Sequence, residues 1–267
     1  MASTPAHAIP ESLADLVSSG ALVVASHSGG ADSQSMLISL LQADIPAEQL
    51  LVVHASLGAI EWPGAQALAQ GQAQSAALPF IVARANKTLF DMVRRRHARR
   101  PDVPSWPSPA QRQCTSDLKR GPIAREVRRY ATKHGFTTVV NCLGFRADES
   151  PARRKRPIWS VNASQTNGRR TWYDHLPIHG WSKSRVFDTI RAAGQSPHPA
   201  YAGGNERLSC QFCIMGSYND LRHAARVHPD LATEYMQLED ETGYTMHASG
   251  QSLASIINHK PAQRSLF

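Results

Sequence analysis

Leu22-Val23-Val24-Ala25-Ser26-His27-Ser28-Gly29-Gly30-Ala31-Asp32-Ser33 is the stretch from which the rest of this chain can be understood. An apolar, β-branched run leads into two glycines, an acid and a serine, and a helical pattern opens at Gln34. The pattern predicts a strand, a tight turn and a helix N-terminus. Such a turn aims several backbone N–H groups at one point, and the helix dipole adds positive potential there. Gly29 and Gly30 allow backbone angles and close approach that a side chain blocks. A phosphate or pyrophosphate is the natural guest. The spacing is neither that of the Walker loop nor that of the dinucleotide GxGxxG turn. A Gly-Ser turn without a ligand is the bland alternative.

Working outward, the first half alternates two periods. Strands are expected at 22–26, 50–55, 80–83 and 137–143, with helices at 33–43, 64–76, 88–100 and 116–134. Short Val/Ile/Leu runs separated by helices predict parallel strands covered on both faces. Ligands of such sheets bind beyond the carboxyl ends of the strands. Ser28 and the stretches 54–58 and 144–150 all fall there in sequence. Four prolines between 101 and 109 predict an irregular loop. The basic, poorly periodic stretch 151–175 is expected to run over the active face. Beyond Pro177 helices are expected at 182–193, 219–228, 231–242 and 252–258. The fold class is therefore α/β, a Rossmann-like parallel sheet with helices on both faces and a C-terminal helical part. The division expected is 1–175 for the nucleotide domain and 176–267 for the helical part, packed on the same domain.

The chain has 267 residues, 42% of them hydrophobic and 19% charged, enough for one large α/β domain or one with a small appendage. Its formal charge of +8 favours a polyanionic partner such as nucleic acid over mere solubility. No run reaches the roughly 20 apolar residues that cross a bilayer, so no membrane association is expected. The first ten residues lack a basic start and an apolar core, and no signal peptide is read there. Four cysteines are too few for a disulfide scaffold, so a reducing, cytoplasmic setting is expected, in which paired cysteines bind metals or clusters or do redox chemistry.

Three further groups of residues carry chemistry. His54-Ala55-Ser56-Leu57-Gly58, with Glu61 to Gly64, suits contact with a base or ribose, and a plain turn is the alternative. Gly144-Phe145-Arg146-Ala147-Asp148-Glu149-Ser150-Pro151-Ala152-Arg153 crowds two carboxylates and two arginines after a strand. The arginines can fork onto phosphate or sulfate oxygens, and Asp148 or Glu149 can help hold Mg²⁺. A surface ion-pair turn is the competing reading. Cys210-Gln-Phe-Cys213 is a C-x-x-C pair, with Cys114 and Cys142 elsewhere. Zinc usually takes four ligands in two pairs, and only one pair is present. The runs Arg94-Arg95-Arg96-His97-Ala98-Arg99-Arg100 and Arg153-Arg154-Lys155-Arg156, with Arg169-Arg170, are the electrostatic footprint of phosphate-backbone binding or a solvated face.

Ser28 to Ser33 resembles the SGGxDS loop of the ATP pyrophosphatase (PP-loop) superfamily, a HUP-type fold. Gly144 to Arg153 resembles the G-I/F-R-x-x-E-S-x-x-R element of its phosphoadenylylsulfate (PAPS) reductase-like branch. Cys114-Thr-Ser-Asp-Leu-Lys119-Arg120-Gly-Pro122 is similar to that branch's C-x-x-x-x-K-x-x-P element. The resemblance implies ATP with Mg²⁺, cleaved to AMP and pyrophosphate. It implies a cofactor site of Ser26, Ser28, Gly29, Gly30, Asp32, Ser33, His54 and Gly144. Catalytic roles are implied for Asp32, Ser33, Lys119, Arg146, Glu149 and Arg153. It further implies a [4Fe-4S] cluster on Cys114, Cys210 and Cys213. Cys142 stands as a fourth ligand or a buried structural cysteine, and zinc or free thiols are the alternative for the set. Within the superfamily the chain looks most like the ATP pyrophosphatases of DNA phosphorothioation, the Dnd/Ssp type. That implies a cysteine desulfurase as sulfur donor, DNA as acceptor and, as often in this superfamily, a homodimer. A PAPS or APS reductase is the runner-up; its nucleophilic tail cysteine finds no counterpart after Cys213. A tRNA thiolation enzyme and a non-catalytic nucleotide-binding subunit complete the field.

Overall fold

The structure is a computed structural model and describes residues 12–258. The readings of the first ten residues and of the tail 260–267 lie outside the described residues. One six-stranded sheet organises the larger of two compact units, which takes the residues up to Ser56, Pro63–Arg84 and Lys119–His198. Its strands are β1 (Leu22–Ser26), β2 (Leu50–Ser56), β3 (Phe80–Arg84), β4 (Thr138–Leu143), β5 (Trp159–Val161) and β6 (Thr171–His175). Their order is β3-β2-β1-β4-β6-β5. All neighbours are parallel except β5, which runs antiparallel to β6 at the edge. The helices that accompany them are α1 (Leu13–Ser18), α2 (Ala31–Leu41) and α3 (Ala65–Ser75).

The continuous apolar runs of β1, β2 and β4 are buried, as strands covered on both faces must be. Leu22, Val24, Leu51, Val53, Val139 and Trp172 form one cluster with Ala124, Val127 and Ala131 of the helix Gly121–Lys133. The two-residue period turns Val23, Ala25 and Val52 to the opposite face. There α2 packs on β1 and β4, and α3 packs on β2 and β3. From β1 the chain builds outward to β2 and β3, then returns to place β4 on β1's other side. The order reverses between β1 and β4, and that opens a crevice beyond their carboxyl ends.

The stretch 151–175 differs from its expectation. It contributes β5 and β6, and β6 extends the sheet beside β4 with Val139 opposite Trp172. Trp172 and Tyr173 are buried while charged residues surround them in sequence, so the local composition hid a strand whose inner face is apolar.

The second unit takes Leu57–Trp62, Ala85–Leu118 and the chain from Pro199. Its helices are α4 (Leu89–Arg99) and α5 (Gln113–Thr115), the latter running through a π-helical turn at Ser116–Arg120 into α6 (Gly121–Lys133) of the sheet unit. After the short α7 (Pro151–Arg154) and α8 (Lys183–Ala192) of the sheet unit come α9 (Tyr218–Val227), α10 (Pro229–Thr242) and α11 (Leu253–Asn258). Thr88 and Asp91 close a capping box that starts α4, and Gly243 ends α10 in the left-handed region at φ +67°. Phe212, Leu221, Tyr235, Leu238, Leu253 and Ile256 are sealed in one core. No regular element forms between 100 and 112, in line with the prolines.

The division therefore departs from a break at 175. The stretch 176–198 stays with the sheet because α8 packs on α2, where Ser35 Oγ donates to the Val186 carbonyl at 2.8 Å. Among the described residues no helix is long and apolar enough to cross a membrane.

Candidate functional site

The β1–α2 turn is fixed from below before any guest arrives. His54, fully buried in β2, donates from Nδ1 to the His27 carbonyl at 2.8 Å. His27 donates from Nε2 to Gln72 Oε1 of α3 at 2.7 Å, which leaves its Nδ1 to accept from the Gly29 N–H at 3.0 Å. Burial lowers the His27 pKa from 6.5 to about 4, against the Gln72 bond and with help from His54. The ring is thus neutral, as an acceptor has to be. Ser33 Oγ donates to the Gly30 carbonyl at 2.9 Å and accepts from the Ser28 N–H at 3.1 Å. The turn is therefore cross-tied at 27, 28, 29, 30 and 33.

Gly29 sits at φ +75°, and a Cβ there would lie 2.6 Å from the Ala65 carbonyl oxygen and 2.7 Å from its Cα. Gly30 is the N-cap of α2 and makes no side-chain cap hydrogen bond. Gly144, just after β4, comes so close that a Cβ would stand 3.1 Å from the Asp32 carbonyl and the Ser33 nitrogen. Only a bare backbone fits between the two loops that flank the switch point.

Arg146 ties those loops together. It is 6% exposed, donates from Nε to Asp32 Oδ1 at 2.6 Å and forks its other arm onto Asp148. Its backbone N–H donates to Glu149 Oε2 at 2.9 Å, and Glu149 pairs with Arg153. Burial pushes the Asp32 carboxyl above its ordinary range against the pull of Arg146. Burial opposes the Arg146 charge, but Asp32 and Asp148 outweigh it and raise its pKa, so the guanidinium stays charged. The Arg153 guanidinium lies 4.4 Å from the Phe145 ring centre, with Arg156 at 5.4 Å.

The structure thus brings Ser28, Gly29, Gly30, Asp32, Ser33, Gly144, Arg146, Glu149 and Arg153 to the crevice end of the sheet. Two expected contacts take other places. His54 lies within β2, fully buried, and supports the turn from beneath through its bond to the His27 carbonyl. Ser26 ends β1 with its hydroxyl donating to Asn141 Oδ1 of β4 at 2.9 Å, and Asn141 in turn donates to Asp174. Lys119 stands on the π-helical turn Ser116–Arg120, an element separate from both loops. Sequence reasoning passed over His27 and Gln72. The signal for His27 was an imidazole beside the first loop serine; Gln72 had none, because its partner is 45 residues away.

In the helical unit, Cys114 lies on α5, Cys210 bridges to Glu61, and Cys213 accepts a 3.8 Å contact from Arg207. Cys114 and Cys210 pack against the core cluster that contains Tyr235 and its hydroxyl. That hydroxyl is fully buried and has no hydrogen-bond partner among the described residues. Burial first, then Cys210, Cys213 and Cys114, pushes its pKa far up. Among the described residues no three His, Cys, Asp or Glu side chains stand at metal-ligating spacing. Cys142 is sealed in β4 of the sheet unit, between Ala25 and His175 in register, and burial with Asp174 pushes its thiol pKa up.

Among solved structures, PAPS reductase from Candida auris, in a phosphate complex, is similar at a TM-score of 0.48 and 12% identity over 74% of this chain and 85% of that one. The U34-tRNA thiolase NcsA from Methanococcus maripaludis, with its [4Fe-4S] cluster, is similar at 0.45 and 11% over 92% and 75%. An uncharacterized 37.8 kDa protein of Escherichia phage 186 is 31% identical over 116 residues, 43% of this chain. That match spans 34% of the phage protein's length. The phosphoadenosine phosphosulfate reductase domain model matches residues 22–215. That span holds the sheet, both flanking loops and the C-x-x-C pair, and the chain belongs to the phosphoadenosine phosphosulfate reductase domain family.

Proposed function

We propose that the chain seats the β- and γ-phosphates of ATP on the β1–α2 turn and cleaves ATP between its α and β phosphorus atoms. In this reading a non-bridging phosphate oxygen of a nucleic acid, DNA in the Dnd/Ssp-type resemblance, attacks the α phosphorus and pyrophosphate leaves. The terminal sulfur of a desulfurase persulfide then attacks the nucleic-acid phosphorus and displaces AMP, which carries that oxygen away, and a thiol reductant cleaves the resulting S–S bond to leave the phosphorothioate. The observation that carries the reading is the bare-backbone seat at Gly29, wedged against Ala65 at the head of an α2 without a side-chain cap. Pyrophosphate needs such a concave, N–H-lined surface.

Arg146 and Arg153 neutralise charge that develops on the transferred group, the contribution that usually dominates such reactions. Glu149 positions both arginines. Asp148, the more exposed of the two carboxylates, is placed to meet Mg²⁺, which binds mostly through phosphate oxygens and water. Cys114, Cys210 and Cys213 are donors of the kind an iron–sulfur centre takes, and all three belong to the helical unit. Such a centre, when bound with three protein ligands, supplies an open iron for exogenous sulfide.

The test is pyrophosphate release by anaerobically purified protein given ATP, Mg²⁺, an oligonucleotide, and a desulfurase with cysteine. Release that falls at least a hundredfold in Asp32→Ala supports the reading, and no release from the wild type overturns it. The family match favours one other reading, in which the nucleotide is PAPS. Sulfite release from PAPS with thioredoxin as reductant would put that reading in its place.

A further inference from the structure

Away from the β1–α2 turn, the helical unit contains a cavity of about 480 Å³ lined by Lys87, Arg95, Arg96, Arg99 and Arg100 of α4 and its approach. Ligand pockets run from about 300 to 1,000 Å³. Two of the five cations are answered from within. Lys87 pairs with Asp117 and Arg100 with Asp102, each at 2.7 Å. Arg95, Arg96 and Arg99 form no ion pair among the described residues. Arg95 and Arg99, and Arg96 and Arg99, stand one turn apart on the helix, where like charges repel. Cations in a last turn complement the helix dipole, but that effect asks for no cavity and no set of this size.

A second observation is independent of charge. Ser105 is 2% exposed and lines the same cavity, and its hydroxyl has no hydrogen-bond partner among the described residues. A buried hydroxyl is rarely left in that state unless something visits it. Met92, Val103 and Pro107 supply an apolar patch beside the cations. Guanidiniums, one hydroxyl and an apolar wall are the complement of a phosphate joined to a flat, weakly polar body.

We propose that this cavity binds a nucleoside phosphate, with the phosphate on Arg96 and Arg99, a phosphate oxygen accepting from Ser105, and the sugar or base on the apolar wall. The unit can come from a single nucleic-acid strand or from a free nucleotide. The strand source rests on the acceptor half of the function proposed above, and binding measured without ATP keeps the two apart.

The experiment is fluorescence anisotropy of the full chain with a 5′-labelled ten-residue oligothymidylate at low salt, with thymidine monophosphate as competitor. Arg96→Glu/Arg99→Glu should weaken strand binding at least tenfold and make its salt dependence shallower by about 0.7 per lost phosphate contact. Arg96→Gln/Arg99→Gln should give a smaller loss in the same direction, with an unchanged circular dichroism spectrum as evidence of folding. Ser105→Ala should weaken binding two- to fivefold with the salt slope unchanged. Competition by the monophosphate at micromolar concentration assigns the site to a free nucleotide, and none up to millimolar assigns it to a strand. Charge-reversed and Ser105→Ala proteins that bind both probes like wild type overturn the proposal. Lost pyrophosphate release with arginine-dependent binding intact sinks the ATP reading alone.

Discussion

The polar groups of the β1–α2 turn and those buried in the helical unit are treated in opposite ways. In the turn, His27, Ser28, Gly29, Gly30 and Ser33 bond to one another, and His54 and Gln72 bond to His27 from the elements beneath. In the helical unit, the Tyr235 hydroxyl, the Ser105 hydroxyl and the Trp106 indole N–H are buried without partners among the described residues. Fully bonded loops are preorganised, so a ligand meets a finished surface and little is reordered on binding. Orphaned buried groups disfavour the empty state, and a guest that satisfies them returns that free energy as affinity. The first region is a finished mould; the second holds three buried donors for which the described residues supply no acceptor.

The sharpest way to break the mould is Gly29→Ala. A left-handed angle is unfavourable by about 1–2 kcal/mol for a residue with a Cβ, and overpacking against backbone adds about 1–3. A loss near 4 kcal/mol, or a displaced turn with no pyrophosphate release, is expected. An alanine variant with wild-type melting and turnover would mean that the Gly29–Ala65 contact is not what shapes the seat. Arg146→Ala comes next. It strands Asp32 half-buried and uncompensated, at roughly 3 kcal/mol as judged from broken buried pairs, and Arg146→Lys should recover little because one ammonium cannot fork onto Asp32 and Asp148. Urea midpoints of the three proteins decide it.

What the sequence disclosed of this follows from how local each feature is. The strand, turn and helix from Leu22 onward were legible because three neighbouring signals agree: a β-branched run, paired glycines and a helical pattern opening at Gln34. The Arg146 to Arg153 turn was legible by its charge, and the structure adds that Asp32, 114 residues away, is its anchor. β6 was not legible, because Thr171 to His175 is a short strand in polar company, and only its place between β4 and β5 buries Trp172 on one face and Tyr173 on the other. The role of His54 beneath the turn was not legible, because β2 runs on to Ser56 and the imidazole's bond to the His27 carbonyl joins residues 27 apart. The cysteines were legible as a pair and a single. That Cys114 and Cys210 pack on the core holding Tyr235 depends on tertiary folding, which no spacing reports.

The scaffold beneath the turn makes a pH prediction. His27 is held near pKa 4 when folded and titrates near 6.5 when unfolded. Between those values the unfolded chain takes up a proton that the folded chain refuses. Stability is therefore fully present above about pH 6.5 and declines as pH falls toward 4, by about 3 kcal/mol from this group. His175, lowered to about 4 by burial, acts with the same sign. His27→Asn keeps an acceptor for the Gly29 N–H and removes the titration, so its melting temperature should fall less steeply from pH 6.5 to 4. Parallel wild-type and variant profiles would show that the ring is not the titrating support.

The smallest expected effect probes one of those buried donors. Tyr235→Phe deletes a hydroxyl that has no hydrogen-bond partner among the described residues, while the ring keeps its packing on Phe90, Trp106 and Phe212. Removing an unmade buried hydrogen bond should stabilise the metal-free chain by about 1 kcal/mol, read as a higher urea midpoint with an unchanged slope. Cys210→Ser should do nothing comparable, since a serine there trades one weakly polar group for another, yet it should abolish any brown colour gained on anaerobic reconstitution with iron and sulfide. The pair of results separates two uses of the same space. A Phe variant that is less stable than wild type when metal-free means the hydroxyl is already bonded and the three thiols surround a finished core. A more stable one, together with colour that depends on Cys210, means the core was left open around Tyr235 for what the cysteines hold.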